Sequence, residues 1–240
     1  SGDFGRSLLS RTPVLTLIGQ RLEPTLSLAL VTMAITLLLS IPMGVLAAWR
    51  HGTLTDNVIM AISVLGFSIP VFVTGYIFIQ IFAIDLKLLP VQGFKSIFDG
   101  VGPFLARIIL PAFTLATIYI ALIARMTRAA MLDVLDEDYV RTARAKGLSE
   151  RIVLFRHALR NAAVPILTVV GTGFALMISG VVVTESVFNI PGLGRLTVDA
   201  ILARDYPVIQ ALILLTSGIY VVINLLIDIS YAFMDPRIRY

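Results

Sequence analysis

The sequence has no cysteine, few histidines and few charged residues. Without cysteine it has no disulfide, thiolate metal site, iron–sulfur cluster or cysteine nucleophile. The two histidines, His51 and His157, cannot by themselves form a metal centre. Charged residues make up 14% and hydrophobic residues 58% of the 240 residues, whereas soluble domains carry about a quarter charged residues. Together with a mean hydropathy of +0.93, this composition predicts an integral membrane protein.

Motifs of nucleotide binding and hydrolysis are also missing from the sequence. No G-x-x-x-x-G-K-[ST] segment occurs, so these residues contain no phosphate-binding loop for ATP. Neither G-x-S-x-G nor H-E-x-x-H is present. We therefore predict a protein without catalytic residues, without a metal and without a cofactor of its own.

Five apolar stretches are long enough to cross a membrane as helices. They are residues 25–49, 58–84, 108–124, 162–184 and 208–227. In four of them a proline removes a backbone donor and is predicted to bend the helix: Pro42, Pro70, Pro111 and Pro165. In the fourth stretch, small residues at four-residue spacing predict the close approach of another helix: Gly171, Ala175 and Ser179.

The distribution of lysine and arginine predicts the orientation. Counted over alternating loops, eleven fall on one side and eight on the other, and eight of the eleven lie in residues 125–161. We place that loop in the cytoplasm, so the net charge of +4 reflects topology rather than nucleic-acid binding. Tyr240 is then cytoplasmic, and residues 1–24 form an extracytoplasmic lead-in. Because residues 1–22 are no signal sequence, we expect a further membrane span ahead of Ser1.

The middles of the predicted spans contain no Asp, Glu, Lys, Arg or His. Ion-coupled carriers often place ionisable groups near mid-depth, so this absence argues against an ion-coupled secondary transporter, which stays as the alternative. Asp228 is the one candidate residue for such coupling. A plain position at a cytoplasmic helix end and a functional pairing are both open for it.

The loop 125–161 is predicted to form two helices separated by a break. The first has an apolar face of residues three or four positions apart: Leu132, Leu135, Tyr139 and Ala143. Glu137 and Arg141 have the spacing of a helical ion pair. Gly147 is expected to end this helix and Ser149 to cap the second, with Glu150 in its first turn. The second helix has its own predicted apolar face: Ile152, Phe155 and Leu159.

The charges of this loop have both signs. Five acidic residues offset its eight cations. A loop that lies on anionic lipid headgroups would gain from undiluted positive charge, whereas a protein-docking surface uses patterned charge of both signs. The loop is therefore predicted to be a docking hairpin for another protein. A membrane scaffold would explain the spans but not this pattern.

Residues 137–147, EDYVRTARAKG, resemble the cytoplasmic coupling motif (the EAA loop) of bacterial ATP-binding-cassette (ABC) importer permeases. The resemblance is to the peptide/nickel branch, and specifically to the first of its two permease subunits. The general motif begins Glu-Ala-Ala, where this chain has Arg141-Thr142-Ala143, and Pro165 lies further from Gly147 than in the general pattern. Further stretches resemble the same branch in the same order: residues 2–5, 109–112, 125–128, 157–161, 191–195, 204–208 and 235–239.

The resemblance implies an all-α membrane protein with a MetI-like ABC importer transmembrane domain over residues 25–240. It implies a permease subunit in the bacterial inner membrane, through which a peptide-like or related small solute enters after delivery by an extracytoplasmic binding protein. The implied partners are a second homologous permease subunit, two ATPase subunits that bind ATP and Mg²⁺, the binding protein and the lipid bilayer, with no nucleic acid. The family also has a membrane helix ahead of the region matched by residues 2–5.

Two sets of site residues follow from the resemblance. The ATPase-coupling residues would be Asp136, Glu137, Asp138, Tyr139, Arg141, Thr142, Ala143, Arg144, Ala145, Lys146, Gly147 and Leu148. The outer region that meets the binding protein or closes the external mouth would include Glu185, Asn189, Pro191, Gly192 and Gly194. The substrate itself stays open among dipeptides, oligopeptides, nickel complexes and glutathione.

Overall fold

The computed structural model describes residues 4–234, with only the backbone described for 178–179 and 231–234. The described chain is helical, and its only β-type pairing is one isolated bridge between Arg6 and Pro13. The helices are α1 Val14–Trp49, α2 Leu54–Ser68, α3 Val71–Phe78, α4 Val101–Leu135, α5 Asp138–Ala145, α6 Glu150–Ile152, α7 Leu159–Val187, α8 Leu193–Leu202 and α9 Tyr206–Met234. Two π-helical segments, Ile79–Asp85 and Val153–Ala158, follow α3 and α6, and a 3₁₀ turn spans Ile97–Asp99. The predicted all-α class is confirmed.

The spans agree in number with the prediction but differ in extent. Among the described residues, four helices are long and apolar enough to cross a membrane, and a fifth span results if α2 and α3 are counted together. Helix α1 has 36 residues and α4 has 35, so both continue beyond the predicted stretches. Polar residues at helix ends can continue a helix outside the hydrocarbon, where hydropathy carries no signal for them.

The prolines act differently in different helices. Pro111 and Pro165 lie inside the continuous helices α4 and α7. At Pro70 the helix is interrupted, because Ile69 (φ −86°, ψ 125°) and Pro70 (φ −56°, ψ 138°) both have extended backbone. Proline disfavours the helical conformation in the residue before it, which accounts for Ile69. The predicted stretch 58–84 is thus interrupted at Pro70, where the sequence predicted a bend, and it consists of two helices and a π-helical segment.

The chain contacts divide into two compact units. The first consists of the described parts of Ser1–Ala34, Pro70–Ala116 and Phe174–Val222, and we call it the lead-in unit. The second consists of the described parts of Ile35–Ile69, Thr117–Gly173 and Ile223–Tyr240, and we call it the hairpin unit.

The core of the lead-in unit is built from the start of α1 together with α8 and α9. Apolar side chains one or two turns apart on each helix meet in this cluster, as expected of amphipathic helix faces. Its buried members are Val14, Ile18, Leu193, Leu196, Ala200, Val208, Ala211 and Leu212.

The core of the hairpin unit joins the end of α1, the end of α4 and the start of α7. Its buried members are Val45, Ala48, Ala130, Met131, Leu154, Ala158, Ala162 and Ile166. Helices α1 and α4 approach closely at Gly44, where a Cβ atom would lie 2.6 Å from the carbonyl oxygen of Ala124. Gly171, the first residue of the predicted small-residue stripe, likewise packs directly on Ile227 of α9. Small residues allow such close helix packing in membranes.

Candidate functional site

The predicted hairpin of residues 125–161 is shorter in the structure, because residues 125–135 continue α4, and the coupling hairpin begins after Leu135. A new helix, α5, starts at Asp138 after the N-cap residue Glu137. The single first helix predicted from the sequence is therefore wrong, because Leu135 belongs to α4 and Tyr139 to α5. The acidic run explains the break, since carboxylates destabilise the C-terminus of one helix and stabilise the N-terminus of the next.

Helix α5 packs through a face that differs from the prediction by one residue. Val140 is 0% exposed and Ala143 is 7% exposed, and both pack on Val153 of the π-helical segment. Tyr139, predicted to lie on this face, is 41% exposed, and its hydroxyl accepts a hydrogen bond from Asn161 Nδ2 at 2.8 Å. The spacing of Val140 and Ala143 was available in the sequence, but their burial depends on the break before Asp138.

Gly147 ends α5 as predicted. Its φ of +79° lies in the left-handed region, which favours glycine, and its N–H donates to the carbonyl oxygen of Arg144 at 2.9 Å. Ser149 then occupies the N-cap position of α6, although its side chain makes no capping bond. Across this turn the Arg144 guanidinium meets the Glu150 carboxylate, with Nε–Oε1 at 3.0 Å and Nη2–Oε2 at 3.4 Å. This pair was not predicted from the sequence, because six residues is not a helical contact spacing.

The predicted ion pair between Glu137 and Arg141 is replaced by one between Asp138 and Arg141, with Oδ1–Nη1 at 3.6 Å. Asp138 is one residue closer because Glu137 lies at the cap, before the first helical residue. The side chains of Asp138 and Arg141 are 97% and 69% exposed, so solvent screening leaves the pair little effect on stability.

The second arm of the hairpin buries a different face from the predicted one. Val153, Leu154 and Ala158 are buried, whereas Ile152 is 41% and Phe155 is 56% exposed. The π-helical segment Val153–Ala158 explains the difference, because its wider turn changes which side chains share a face. The predicted face of this helix is thus wrong for Ile152 and Phe155, whereas Leu159 is partly buried and packs against the core of the hairpin unit.

The hairpin consequently exposes large apolar side chains beside its charges. We call Tyr139, Leu148, Ile152 and Phe155 the hairpin apolar surface, with exposures between 37% and 56%. Of the twelve predicted coupling residues, all but Ala143 are exposed. Exposed apolar side chains among charges of both signs are typical of a protein-docking surface.

In the lead-in unit, Glu185 is completely buried near the end of α7. Its carboxylate accepts hydrogen bonds from Thr25 Oγ1 at 2.5 Å and from the Arg195 N–H at 2.9 Å. Thr25 Oγ1 in turn accepts from the Leu193 N–H at 2.7 Å. These bonds satisfy free N–H groups in the first turn of α8. Burial raises the pKa of Glu185, and the hydrogen bonds from Thr25 and the backbone offset that rise only in part.

The glycines after Glu185 leave room for its carboxylate. A Cβ atom on Gly192 would overlap the Glu185 carboxylate, and one on Gly194 would lie 2.6 Å from Val182 Cα. Asn189 has a φ of +53° in the turn that leads to Pro191. The structure therefore brings together Glu185, Gly192 and Gly194 of the predicted outer region, and it places Asn189 and Pro191 in the connecting turn.

A second buried carboxylate in the lead-in unit was missed in the sequence. Asp205 is 4% exposed, accepts from Ser7 Oγ at 2.5 Å and accepts from the Leu8 N–H at 3.1 Å. Burial by itself would raise the pKa of Asp205, but the hydrogen bonds from Ser7 and backbone N–H groups lower it below its ordinary value. Ser7 and Asp205 are 198 positions apart, so no local pattern could reveal this contact.

Three sequence predictions gain no support from the described residues. Asp228 is exposed on α9, and it has no hydrogen bond or ion pair with any residue whose side chain the structure describes. The functional pairing of Asp228 thus gains no support. Ser179 of the small-residue stripe has an undescribed side chain, and residues 2–3 and 235–239 of the resembling stretches lie outside the described residues.

Comparisons with known proteins agree with this architecture. The family model described as "Binding-protein-dependent transport system inner membrane component" matches residues 40–240. A probable peptide ABC transporter permease protein of Sinorhizobium fredii is 57% identical over 239 residues, which cover 100% of this chain and 76% of that protein. The glutathione transport system permease protein GsiC of Escherichia coli is 45% identical with the same coverage.

Among solved structures, a chain of the MetNI methionine ABC transporter in an inward-facing conformation superposes with a TM-score of 0.76. The superposition covers 92% of this chain and 97% of that chain at 17% identity, and thus shows the fold alone. The fold class is therefore MetI-like, and the ion-coupled secondary transporter is not favoured. With its helical spans and a family model that matches most of its length, the chain belongs to the inner membrane components of binding-protein-dependent transport systems, as a peptide-branch ABC importer permease.

Proposed function

We propose that this permease moves a peptide-like or related small solute across the bacterial inner membrane, together with a second homologous permease subunit. The names of the relatives support the solute class, since one is called a peptide permease and another a glutathione permease. In this proposal an extracytoplasmic binding protein delivers the solute, and two separate ATPase subunits bind ATP and Mg²⁺.

The hairpin is the part of the chain proposed to receive the force of the ATPases. Helix α5 would seat in a groove of one ATPase, with the hairpin apolar surface at the contact. The observation that supports this assignment is that packed apolar side chains connect α5 to the long helices. Val134 and Leu135 of α4 contact both the α5 cluster and the cluster that joins α1, α4 and α7. Close-packed apolar clusters transmit displacement rather than absorb it, so movement of α5 would reach the spans.

The segment from Glu185 to Pro207 is proposed to lie on the outer face with the lead-in, residues 1–24. There it would meet the binding protein or help to close the external mouth. The capping of α8 by Glu185 and Thr25 supports this role, because it gives the segment a defined shape.

The docking proposal is tested by co-purification of the ATPase subunits with Phe155→Asp. A charge on the hairpin apolar surface should remove most of the bound ATPase and the solute uptake, since an apolar contact cannot accommodate an unpaired carboxylate. Phe98→Asp is the matched control, because Phe98 is 90% exposed in the 3₁₀ turn Ile97–Asp99, outside both proposed docking regions. Normal ATPase binding by Phe155→Asp would refute the docking surface.

The solute is tested on the partner binding protein. Thermal-shift screening against dipeptides, oligopeptides, glutathione and nickel chelates should show stabilisation by one of the peptide-like classes. Stabilisation by an unrelated solute alone would overturn the proposed substrate class while leaving the permease assignment in place.

A further inference from the structure

The first turn of α2 contains a buried carboxylate that accepts no hydrogen bond from the hairpin beyond Leu135 or from the outer segment. Asp56 is 2% exposed. The Arg128 guanidinium of α4 donates two hydrogen bonds to this carboxylate, from Nε to Oδ1 at 2.6 Å and from Nη2 to Oδ2 at 2.7 Å. The Gly52 N–H donates to Oδ2 at 3.1 Å, and His51 Nδ1 lies 3.1 Å from the same oxygen. We call these four residues the Asp56 clasp.

The clasp has the geometry that resists sliding between helices. A bidentate arginine–carboxylate pair fixes both the distance and the orientation of the two groups. Arg125, one turn earlier on the same helix, differs from Arg128 in its surroundings. It is exposed, and it has no hydrogen bond or ion pair to any residue that the structure describes. Of these two arginines, only Arg128 ties α4 to the α1–α2 turn.

Arg128 lies about two helical turns before Leu135, the last residue of α4. Between them, Ala130 and Met131 pack in the cluster that joins α1, α4 and α7, and Val134 packs on α5. This part of α4 therefore connects α5 to the clasp through packed side chains.

Helix α2 has few other anchors. Its buried side chains are Asp56, Ile59 and Ser63. The first of them is the clasp carboxylate, one turn after the bend that follows α1. The clasp is therefore a directional link between α2 and α4.

We infer that Asp56 and Arg128 are positioning residues of the transport cycle, which make the first half of the broken span, α2, move together with α4 when the hairpin is displaced. The inference rests on the proposed ATPase coupling. Loss of the clasp would let α4 follow the ATPases while α2 lags behind. ATP would still be hydrolysed, but less solute would cross for each ATP.

The test uses the complete importer, with partner permease, ATPases and binding protein, reconstituted in proteoliposomes. Asp56→Asn and Arg128→Gln should each lower the solute moved per ATP hydrolysed by about tenfold, with ATPase subunits still bound. Arg128→Lys should recover part of the ratio, since it retains the charge but only one contact point. Arg125→Gln is the control for charge on the same helix and should keep the native ratio.

A distance measurement separates the positioning role from a merely structural one. Because the sequence has no cysteine, spin labels can be placed by Val58→Cys on α2 and Ala129→Cys on α4, both exposed positions. The label distance should be the same with and without ATP in the native background, and it should change with ATP in Asp56→Asn.

The outcomes distinguish the two proposals. A native complex that shows no ATP-dependent uptake would refute the proposed function. A native complex that transports, with variants that keep the native ratio or a label distance that changes equally in both backgrounds, would refute the clasp alone.

Discussion

At the scale of single residues, the small size of two glycines makes room for a buried carboxylate in this permease. Gly192 and Gly194 leave space for the Glu185 carboxylate, and Thr25 bridges that carboxylate to the Leu193 N–H. Burial disfavours the charged form of the Glu185 carboxylate, and its hydrogen bonds offset this effect only in part. The α8 cap is therefore expected to respond to pH.

Replacement of Glu185 by glutamine should reveal this response. The pKa of Glu185 is raised above its ordinary value of 4.5 in the folded protein, so the folded state holds the proton more tightly than the unfolded state. Its stabilising contribution is then fully present below pH 4.5 and is lost as the pH rises through the raised pKa. Native protein should lose thermal stability over that range relative to Glu185→Gln, which stays neutral. The measurement is the unfolding temperature of both proteins against pH.

Asp199→Asn serves as the control, because Asp199 is an exposed carboxylate on the same short helix. Its curve should run parallel to that of the native protein. Parallel curves for Glu185→Gln as well would show that the cap does not titrate in this range.

At the scale of elements, the hairpin depends on one turn. Helix α5 ends at Ala145 and α6 begins at Glu150, and Gly147 is the only residue between them with a positive φ. The Arg144–Glu150 pair closes the same turn. The two arms can pack through Val140 and Val153 only if this turn keeps its shape.

Gly147→Pro should therefore uncouple the importer. Proline cannot adopt a φ of +79° and lacks the N–H that bonds to Arg144, so the arms would separate. Uptake and ATPase binding should fall strongly while the protein still inserts in the membrane. Gly147→Ala retains the N–H and adds only the strain of a left-handed alanine, about 1 kcal/mol, so it should keep most of the uptake. Equal uptake by Gly147→Pro and native protein would contradict the need for a stiff hairpin.

At the scale of the whole chain, the membrane takes the place of water around the helices. Large apolar residues of α9 such as Val221, Leu225 and Leu226 are more than half exposed. Lipid or a partner subunit can cover such side chains without cost, which is why composition alone predicted a membrane protein. In the proposed orientation the charged hairpin lies in the cytoplasm, and the segment from Glu185 to Pro207 is extracytoplasmic.

Single cysteines can test that orientation, because the chain has none of its own. Ala203→Cys, exposed after α8, should react with a membrane-impermeant maleimide in intact spheroplasts. Ser149→Cys, exposed in the hairpin turn, should react only after the membrane is permeabilised. The reverse labelling pattern would refute the proposed topology.

Local features followed from the sequence more reliably than contacts did. The apolar runs predicted the spans, and Gly147 predicted the break, because both depend on neighbouring residues alone. The extents of α1 and α4 did not follow, because polar residues in the added turns, such as Gln20 and Arg21 of α1, interrupt the apolar runs. The buried face of the second arm did not follow either, because the π-helical turn at Val153–Ala158 changes its register.

The sequence by itself thus determined that the helices lie in a membrane, the class of fold, the break in the hairpin and, through resemblance, the family. Only the tertiary structure decided which polar groups are buried together. Asp56 meets Arg128 across 72 positions, and Glu185 meets Thr25 across 160. The physical reason is that hydropathy and helix caps act between residues a few positions apart, whereas the partner of a buried charge depends on how distant helices pack.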